Sequence, residues 1–139
     1  MSSSNGGFEF HATLAELEEG LETLHRSIDR LRAATGRDSD DMGLLLFETA
    51  LGEIGSNVLT HGRPTGTKHP VDYRLSYVRG VVEASLTDSG APVHEHLGRQ
   101  MPGHESEAGR GLAMARSLLD ELGYERDGDL NRWRLVKKL

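Results

Sequence analysis

The stretch VDYRLSYVRGVVEASLTD, residues 71–88, decides the fold class of this chain. Its two halves, Val71–Val78 and Val81–Asp88, are rich in β-forming residues, and Arg79 and Gly80 between them suit a hairpin turn. A tight turn joins antiparallel strands, so this segment predicts an antiparallel sheet.

Upstream of the hairpin, Phe8–Leu14 alternates apolar and polar residues with the period of a half-buried strand. Thr13–Glu16 has the form of a capping box, which predicts that a helix begins there. This amphipathic helix should end before Gly36 and has an apolar stripe formed by Leu14, Leu17, Leu21, Leu24, Ile28 and Leu31. The stripe could mediate a dimer, but packing on the domain's own core is the favoured interpretation.

A second helix is predicted over residues 42–60, with capping residues among the Ser and Asp residues at 37–41. Residues 61–70 are rich in Gly and Pro and indicate a loop. Residues 92–107 are polar and lack periodicity. A loop of that length in a compact domain is usually a functional lid or a disordered segment.

The pattern after this loop predicts a third helix from about Gly111 to Leu122, ending at Gly123. Residues 124–126 and 130–136 then form a last hairpin around 127–129. The order is strand, two helices, two strands, lid, helix and two strands. It predicts an α+β two-layer sandwich with helices on one face of a mostly antiparallel sheet.

The length and composition suit one domain over residues 8–139 behind a flexible tail at 1–7, with 139 residues in all. A net charge of −6 opposes direct nucleic-acid binding. The absence of cysteine excludes disulfides and thiolate zinc sites. We expect no membrane span and no signal peptide, and a cytoplasmic location is consistent with this composition.

Two polar residues on the second predicted helix are candidates for chemistry. Glu53 and Asn57 are four apart, so their side chains project from one helix face beside the apolar stripe. A carboxylate there could accept a proton from an attacking hydroxyl, and an amide oxygen could ligate Mg²⁺. Taken alone, this pair is more often a solvated helix edge.

Two glycine-containing motifs follow. Asp88 ends a strand, where its carboxylate could accept a hydrogen bond from the exocyclic amine of adenine, and Gly90 would let the backbone approach the base. Gly109 and Gly111 are predicted to open the third helix and aim amides at phosphate oxygens, with Arg110 adding positive charge. Taken alone, the motif at Asp88 is more often an ordinary turn after a strand, and a Gly-x-Gly pair is weak evidence because glycines also serve tight turns.

The three motifs in this order, at residues 50–62, 87–92 and 107–112, resemble the N-box, G1 and G2 motifs of the GHKL ATPases. The initial strand, the small size and an N-box of the form Asn-x-x-x-His-Gly are most similar to the anti-sigma factor serine/threonine kinases. The resemblance covers the chain from about Phe8 to its end. It implies the GHKL fold and a site for ATP and Mg²⁺.

The resemblance also implies roles for individual residues. Glu53 would be the general base, Asn57 would ligate Mg²⁺, Asp88 would bind adenine, and residues 93–107 would form the ATP lid. Many relatives have a Gly-Thr pair at the start of the last strand, where this chain has Asn131 as a substitute contact. The implied ATP-binding set is Asn57, His61, Asp88, Gly90, Pro92, Gly109, Arg110, Gly111, Leu112 and Asn131.

The implied reaction is phosphorylation of a serine or threonine in a STAS-domain antagonist, combined with sequestration of a sigma factor in partner switching. Relatives of this type tend to dimerise, which leaves a homodimer open. Gly52 and Gly55 flank the general base and cost the helix about 1 kcal/mol each relative to Ala. Close packing against the nucleotide or a partner is one reason for their presence.

Three alternatives stay open on the sequence alone. The chain could bind ATP or a partner without phosphorylating anything, although an intact Glu53 argues against this. A histidine-kinase catalytic domain is disfavoured because no helical hairpin with a phospho-acceptor histidine precedes the motifs. A transition-metal site at His94, His96 and His104 is disfavoured because the spacing matches no closed site.

Overall fold

The computed structural model describes residues 7–38, 40–61, 70–89 and 107–139. Within these residues the chain forms five strands and three helices in the predicted order. They are β1 (Phe8–Leu14), α1 (Leu17–Thr35), α2 (Met42–His61), β2 (Val71–Val78), β3 (Val81–Asp88), α3 (Glu107–Leu118), β4 (Glu121–Asp127) and β5 (Leu130–Lys138).

The five strands form one antiparallel sheet in the order β1-β2-β3-β5-β4. The hairpin that joins β2 and β3 turns at Arg79 and Gly80, whose φ angles are 52° and 82°. Two successive positive φ values belong to the turn whose twist matches that of paired strands. The hairpin predicted from residues 71–88 is therefore confirmed, and it joins two of the inner strands.

Side chains alternate between the two faces of the sheet, and the helices cover one face. Tyr73, Leu86 and Leu135 point into the core and are fully buried beneath the helices. The opposite face carries polar residues such as Arg134, which forms ion pairs with Glu83 and Glu121 on the neighbouring strands. This confirms the predicted two-layer α+β sandwich with helices on one face.

The apolar stripe of α1 packs on this core, as favoured, with Leu24, Ile28 and Leu31 buried. The helix ends at Gly36, which adopts a left-handed conformation and donates its N–H to the carbonyl of Arg32. The start of α1, however, differs from the prediction.

The predicted capping box at Thr13–Glu16 is wrong. Thr13 lies in β1 opposite Asp72, and the residue that precedes α1 is Glu16, which makes no capping hydrogen bond through its side chain. A β-branched residue suits the strand, and pairing with β2 satisfies its backbone, so the sheet determines the conformation of Thr13. The cap of α2 follows the prediction, because Asp41 accepts a hydrogen bond of 3.0 Å from the N–H of Leu44. That bond lowers the pKa of the Asp41 carboxyl.

The predicted bounds of the third helix are also wrong. The helix α3 begins at Glu107, four residues before Gly111, and ends at Leu118. Gly123, predicted to end it, lies within β4 opposite Arg134. Asp120 explains the early end, because its N–H binds the carbonyl of Val136 and its carboxylate accepts a bond from the N–H of Lys138. These bonds to β5 direct the following residues into the sheet.

The helices α1 and α2 cross closely because glycines lie at their contact. A β-carbon added at Gly55 of α2 would lie 2.5 Å from a methyl of Leu24 in α1, and one added at Gly20 would lie 2.5 Å from a methyl of Leu59. The prediction that Gly55 packs against a nucleotide or a partner is therefore wrong, because Gly55 packs against Leu24 within the domain. At Gly52, by contrast, an added β-carbon has no described atom within 4 Å.

No helix in the described part of the chain has the length and apolarity needed to cross a lipid bilayer.

Two substitutions in α2 test this account of its glycines. Gly55→Ala should lower the free energy of unfolding, because overpacking against Leu24 typically costs about 1–3 kcal/mol, more than the gain from alanine's helix propensity. Gly52→Ala, the matched control, should raise it by about 1 kcal/mol because the added methyl meets open space. Urea unfolding of both variants measures the difference, and an equal gain in stability for both would contradict the close crossing.

Candidate active site

Glu53 and Asn57 lie on successive turns in the C-terminal half of α2, half-buried between the core and the surface. Their neighbours Leu51, Ile54 and Val58 fill the core. The predicted position of the two polar side chains beside the apolar stripe is therefore observed. This pair therefore lies in a helix that packs on α3, β3 and β5.

Gly111 of α3 lies directly against these two side chains. An ideal β-carbon built on Gly111 would overlap the Oε1 atom of Glu53 and would lie 3.8 Å from the Nδ2 atom of Asn57. Any larger residue would therefore displace the carboxylate. The glycine keeps open the space into which the carboxylate and the amide project.

The amide of Asn57 has an unsatisfied buried atom. Its Nδ2 is buried and has no hydrogen-bond partner among the described residues. Buried polar atoms are nearly always hydrogen-bonded, and an exception often marks a ligand or an ion site. Rotation of the amide about its last bond exchanges nitrogen and oxygen, so the oxygen, which suits Mg²⁺, can occupy this position. The residue present thus fits a divalent cation.

A second group of polar residues lies where β3 ends and β5 begins. Asp88 and Asn131 are directly opposite each other in the β3–β5 pairing, and each side chain is only 2% exposed. The Nδ2 atom of Asn131 donates a 3.0 Å hydrogen bond to Oδ1 of Asp88. This carboxylate is an acceptor at the end of β3, on the core-facing side of the sheet.

Two residues that sequence reasoning missed hold Asn131 in place. Tyr124 donates its hydroxyl hydrogen to Oδ1 of Asn131, and Nη1 of Arg126 donates a 3.0 Å bond to the same oxygen. Both belong to β4, one strand beyond Asn131. The tight turn at Gly128 fixes the register that brings Arg126 opposite Asn131. This turn is the sequence signal from which the pairing of the two residues could have been predicted.

The glycines of the third motif do not open a helix as predicted. Gly109 and Gly111 lie inside α3, with Arg110 exposed between them and Leu112 packed at the edge of the core. The glycines therefore lie within the first turns of α3, which begins two residues before Gly109.

Several predicted features lie outside the described residues. They are Gly90, Pro92, lid residues 93–106 with His94, His96 and His104, most of the loop at 61–70, and the tail through residue 6. His61 ends α2, and its side chain is not among those described. Within the described residues the candidates form two groups, Glu53 and Asn57 with Gly111, and Asp88 with Asn131.

Solved structures of other proteins have the same architecture. The structure of the RsbU and RsbW domains of Rv1364c from Mycobacterium tuberculosis matches 95% of this chain with a TM-score of 0.68 and 22% identity. This chain covers 32% of the chain in that structure. The catalytic domain of the histidine kinase ThkA matches over 95% of both chains, with a TM-score of 0.54 and 15% identity. At these identities the similarity shows a common fold.

A search of curated proteins finds no significant match. The model of the histidine kinase-like ATPase domain, in contrast, matches residues 13–137, nearly the whole chain and both groups of site residues. This chain therefore belongs to the histidine kinase-like ATPase domain family.

Proposed function

We propose that this chain is an ATP-dependent serine/threonine protein kinase that acts as an anti-sigma regulatory factor. Membership of the ATPase family implies ATP binding. The observation that supports a kinase most directly is the contact of Gly111 with Glu53 and Asn57, because it joins a phosphate-binding motif to a candidate base and a candidate cation ligand.

The nucleotide is proposed to lie across both groups of residues. Asp88 accepts a hydrogen bond from the exocyclic amine of adenine, and Asn131 supports it. Gly109 and Gly111 lie near the N-terminus of α3, whose dipole favours the phosphates, and the exposed Arg110 adds charge. His61, Gly90, Pro92 and Leu112 complete the proposed binding set. Asn57 is the proposed ligand of Mg²⁺, which supplies neutralisation of phosphate charge when bound.

The proposed reaction transfers the γ-phosphoryl group of ATP to a serine or threonine hydroxyl of the partner. The bond from phosphorus to the β,γ-bridging oxygen breaks, a bond from phosphorus to the hydroxyl oxygen forms, and ADP leaves. Glu53 accepts the hydroxyl proton. Such chemistry depends mainly on positioning and charge stabilisation, so a half-buried carboxylate that is held next to Gly111 suits the role of base.

The proposed partner is a STAS-domain antagonist, with a sigma factor as the protein sequestered. The support is the motif resemblance together with the shared fold of a structure that contains an RsbW domain. The net charge of −6 favours regulation through proteins over direct contact with nucleic acid. A non-catalytic module of the same fold is the competing function, and the phosphotransfer experiment below separates the two.

Calorimetry with Mg²⁺-ATP tests the nucleotide site. Wild type should bind, and Asp88→Ala should weaken binding at least tenfold because a hydrogen bond to a charged group contributes about 1.5–3 kcal/mol. Asn57→Ala should weaken Mg²⁺-ATP more than metal-free ATP, since it removes the cation ligand. Arg132→Ala, on the opposite sheet face beside Asn131, is the control and should bind normally. A folded wild type that binds no ATP would exclude the kinase function.

Phosphotransfer to STAS-domain proteins of the same organism tests the role of Glu53. Glu53→Gln keeps the side-chain shape but cannot accept the proton, so the rate should fall about 10²–10⁴-fold. Its ATP affinity should stay within about threefold of wild type. An unchanged rate would assign the base to another group, and no transfer by wild type to any such protein would favour the non-catalytic module.

A double-mutant cycle tests the contact between Gly111 and Glu53. Gly111→Ala should give no net gain in unfolding free energy in wild type, because the methyl must displace the Glu53 carboxylate. In the Glu53→Ala background the same change should stabilise by about 1 kcal/mol, the helix propensity gain of alanine. Urea unfolding of the four proteins measures the coupling. Identical effects of Gly111→Ala in both backgrounds would contradict the contact.

A further inference from the structure

Four side chains form a charge cluster at the contact between α1 and α2. Nδ1 of His25 lies 2.5 Å from Oε2 of Glu48, and its Nε2 lies 3.3 Å from Oδ2 of Asp29. Arg32 closes the cluster, because its Nη1 lies 3.1 Å from Oδ1 of Asp29 and its Nη2 lies 3.3 Å from Oε1 of Glu48. Glu48 belongs to α2 and the other three residues to α1, so the charge cluster links the two helices.

The imidazole of His25 has a carboxylate beside each of its nitrogens. A neutral imidazole carries one N–H and one lone pair, so in either tautomer one lone pair would face a carboxylate oxygen. At 2.5 Å from Glu48 or 3.3 Å from Asp29 such a contact is repulsive. The protonated imidazole has an N–H on both nitrogens and suits both contacts. The geometry therefore favours the charged form of His25.

The two cations of the charge cluster respond differently to pH. The guanidinium of Arg32 stays charged at every physiological pH and is 13% exposed. The side chain of His25 is 62% exposed, and histidine is the residue whose charge ordinarily changes near neutral pH. With His25 protonated, two cations balance the carboxylates of Asp29 and Glu48. When His25 loses its proton, Arg32 alone faces both carboxylates, and one negative charge is left unbalanced.

These contacts raise the pKa of His25 above its ordinary value of 6.5, first through the hydrogen bond with Glu48 and then through the charges of Glu48 and Asp29. Partial burial and the charge of Arg32 act in the opposite direction. A group whose pKa is higher in the folded than in the unfolded chain stabilises the fold fully below its unfolded value. The stabilisation by His25 is therefore present below about pH 6.5 and is lost as the pH rises through the folded value.

Other titratable groups around α1 have different partners. On α1 itself, Glu22 pairs with Arg26 at 3.8 Å. The strand β1 also packs on α1, but its charged residues Glu9 and His11 lie on the opposite face of the sheet. Tyr73 is buried beneath the helices, and this burial raises the pKa of its phenol, which stays uncharged near neutral pH. The pH response of the charge cluster is thus that of its histidine.

We infer that His25 makes the contact between α1 and α2 respond to pH: the protonated imidazole links Glu48 of α2 to Asp29 of α1, and this link is lost when the imidazole loses its proton. No residue of the charge cluster belongs to the candidate active site, so the inference does not depend on the proposed function. The helix whose attachment responds to pH is nevertheless the one that carries Glu53 and Asn57.

An NMR titration of the imidazole protons tests the link directly, with the His25 signals assigned by their absence in His25→Gln. Glu48→Gln keeps the side-chain shape and removes the charge, so the titration midpoint of His25 should move to lower pH. Asp29→Asn should move it in the same direction by less, because that contact is longer. A midpoint that is the same in wild type and in Glu48→Gln would overturn the inference.

Glu18→Gln is the matched control for this titration. It removes an exposed carboxylate from α1 that lies two turns from His25, about 10 Å along the helix axis and about one Debye length away. The midpoint of His25 should therefore stay at its wild-type position. An equal shift in Glu18→Gln and Glu48→Gln would assign the effect to the overall charge of the helix and contradict the specific link.

Urea unfolding at about pH 5.5 and about pH 8.5 tests the effect on stability. The ratio of the unfolding equilibrium constant of His25→Gln to that of wild type should fall about two- to fivefold from the lower to the higher pH, the range for exposed ion pairs. His25→Arg keeps a cation at both pH values, so its ratio to His25→Gln should not change. A purely structural role of His25 predicts an unchanged ratio for wild type as well, and that result would refute the pH response.

Discussion

The pairing of β3 with β5 is the constraint on which the nucleobase end of the candidate site depends. It places Asp88 opposite Asn131 with both side chains facing the core, and a slip of one residue would turn one of them to the solvent face. A carboxylate that is 2% exposed is expensive to bury unless hydrogen bonds compensate for lost water. Asn131 supplies one such bond, so the strand register and the hydrogen bonding of the carboxylate support each other.

Glycines allow two different kinds of close contact between the helices. At the contact of α1 with α2, Gly55 leaves room for a leucine methyl, and the result is a dense apolar crossing. At the contact of α2 with α3, Gly111 leaves room for the Glu53 carboxylate, and the result is a polar contact between the two helices. The atom that fills the space, a methyl or a carboxylate oxygen, distinguishes a glycine in the apolar core from one beside the candidate site. Gly52, where the space is open, serves neither within the described residues.

Local patterns were sufficient for most of the fold, and they failed where the sheet competes with them. The central hairpin, both long helices and the element order followed from periodicity and turn residues. The helix cap at Thr13 and the helix end at Gly123 were wrong predictions because each residue has a strong helix-end signal, while backbone pairing across the sheet places it in a strand. In the candidate site, the spacing of Glu53 and Asn57 predicts a shared helix face. Tyr124 and Arg126 have no such motif, because their role depends on a side-chain contact between strands.

The charges of the site restrict how a triphosphate can be accommodated under the proposed function. Two of its named groups, Asp88 and Glu53, are carboxylates in a chain of net charge −6, and each would repel phosphates in a medium of low dielectric constant. Asp88 lies at the end of the central strand β3, where its Oδ1 accepts the N–H of Asn131. Glu53 must lie near the transferred group to act as a base, so its repulsion has to be offset locally. The amide of Asn57, one turn along the same helix and also facing Gly111, is where a cation would do so. Under the proposed function, binding of the triphosphate in a reactive position therefore depends on the metal more strongly than binding of the adenine does.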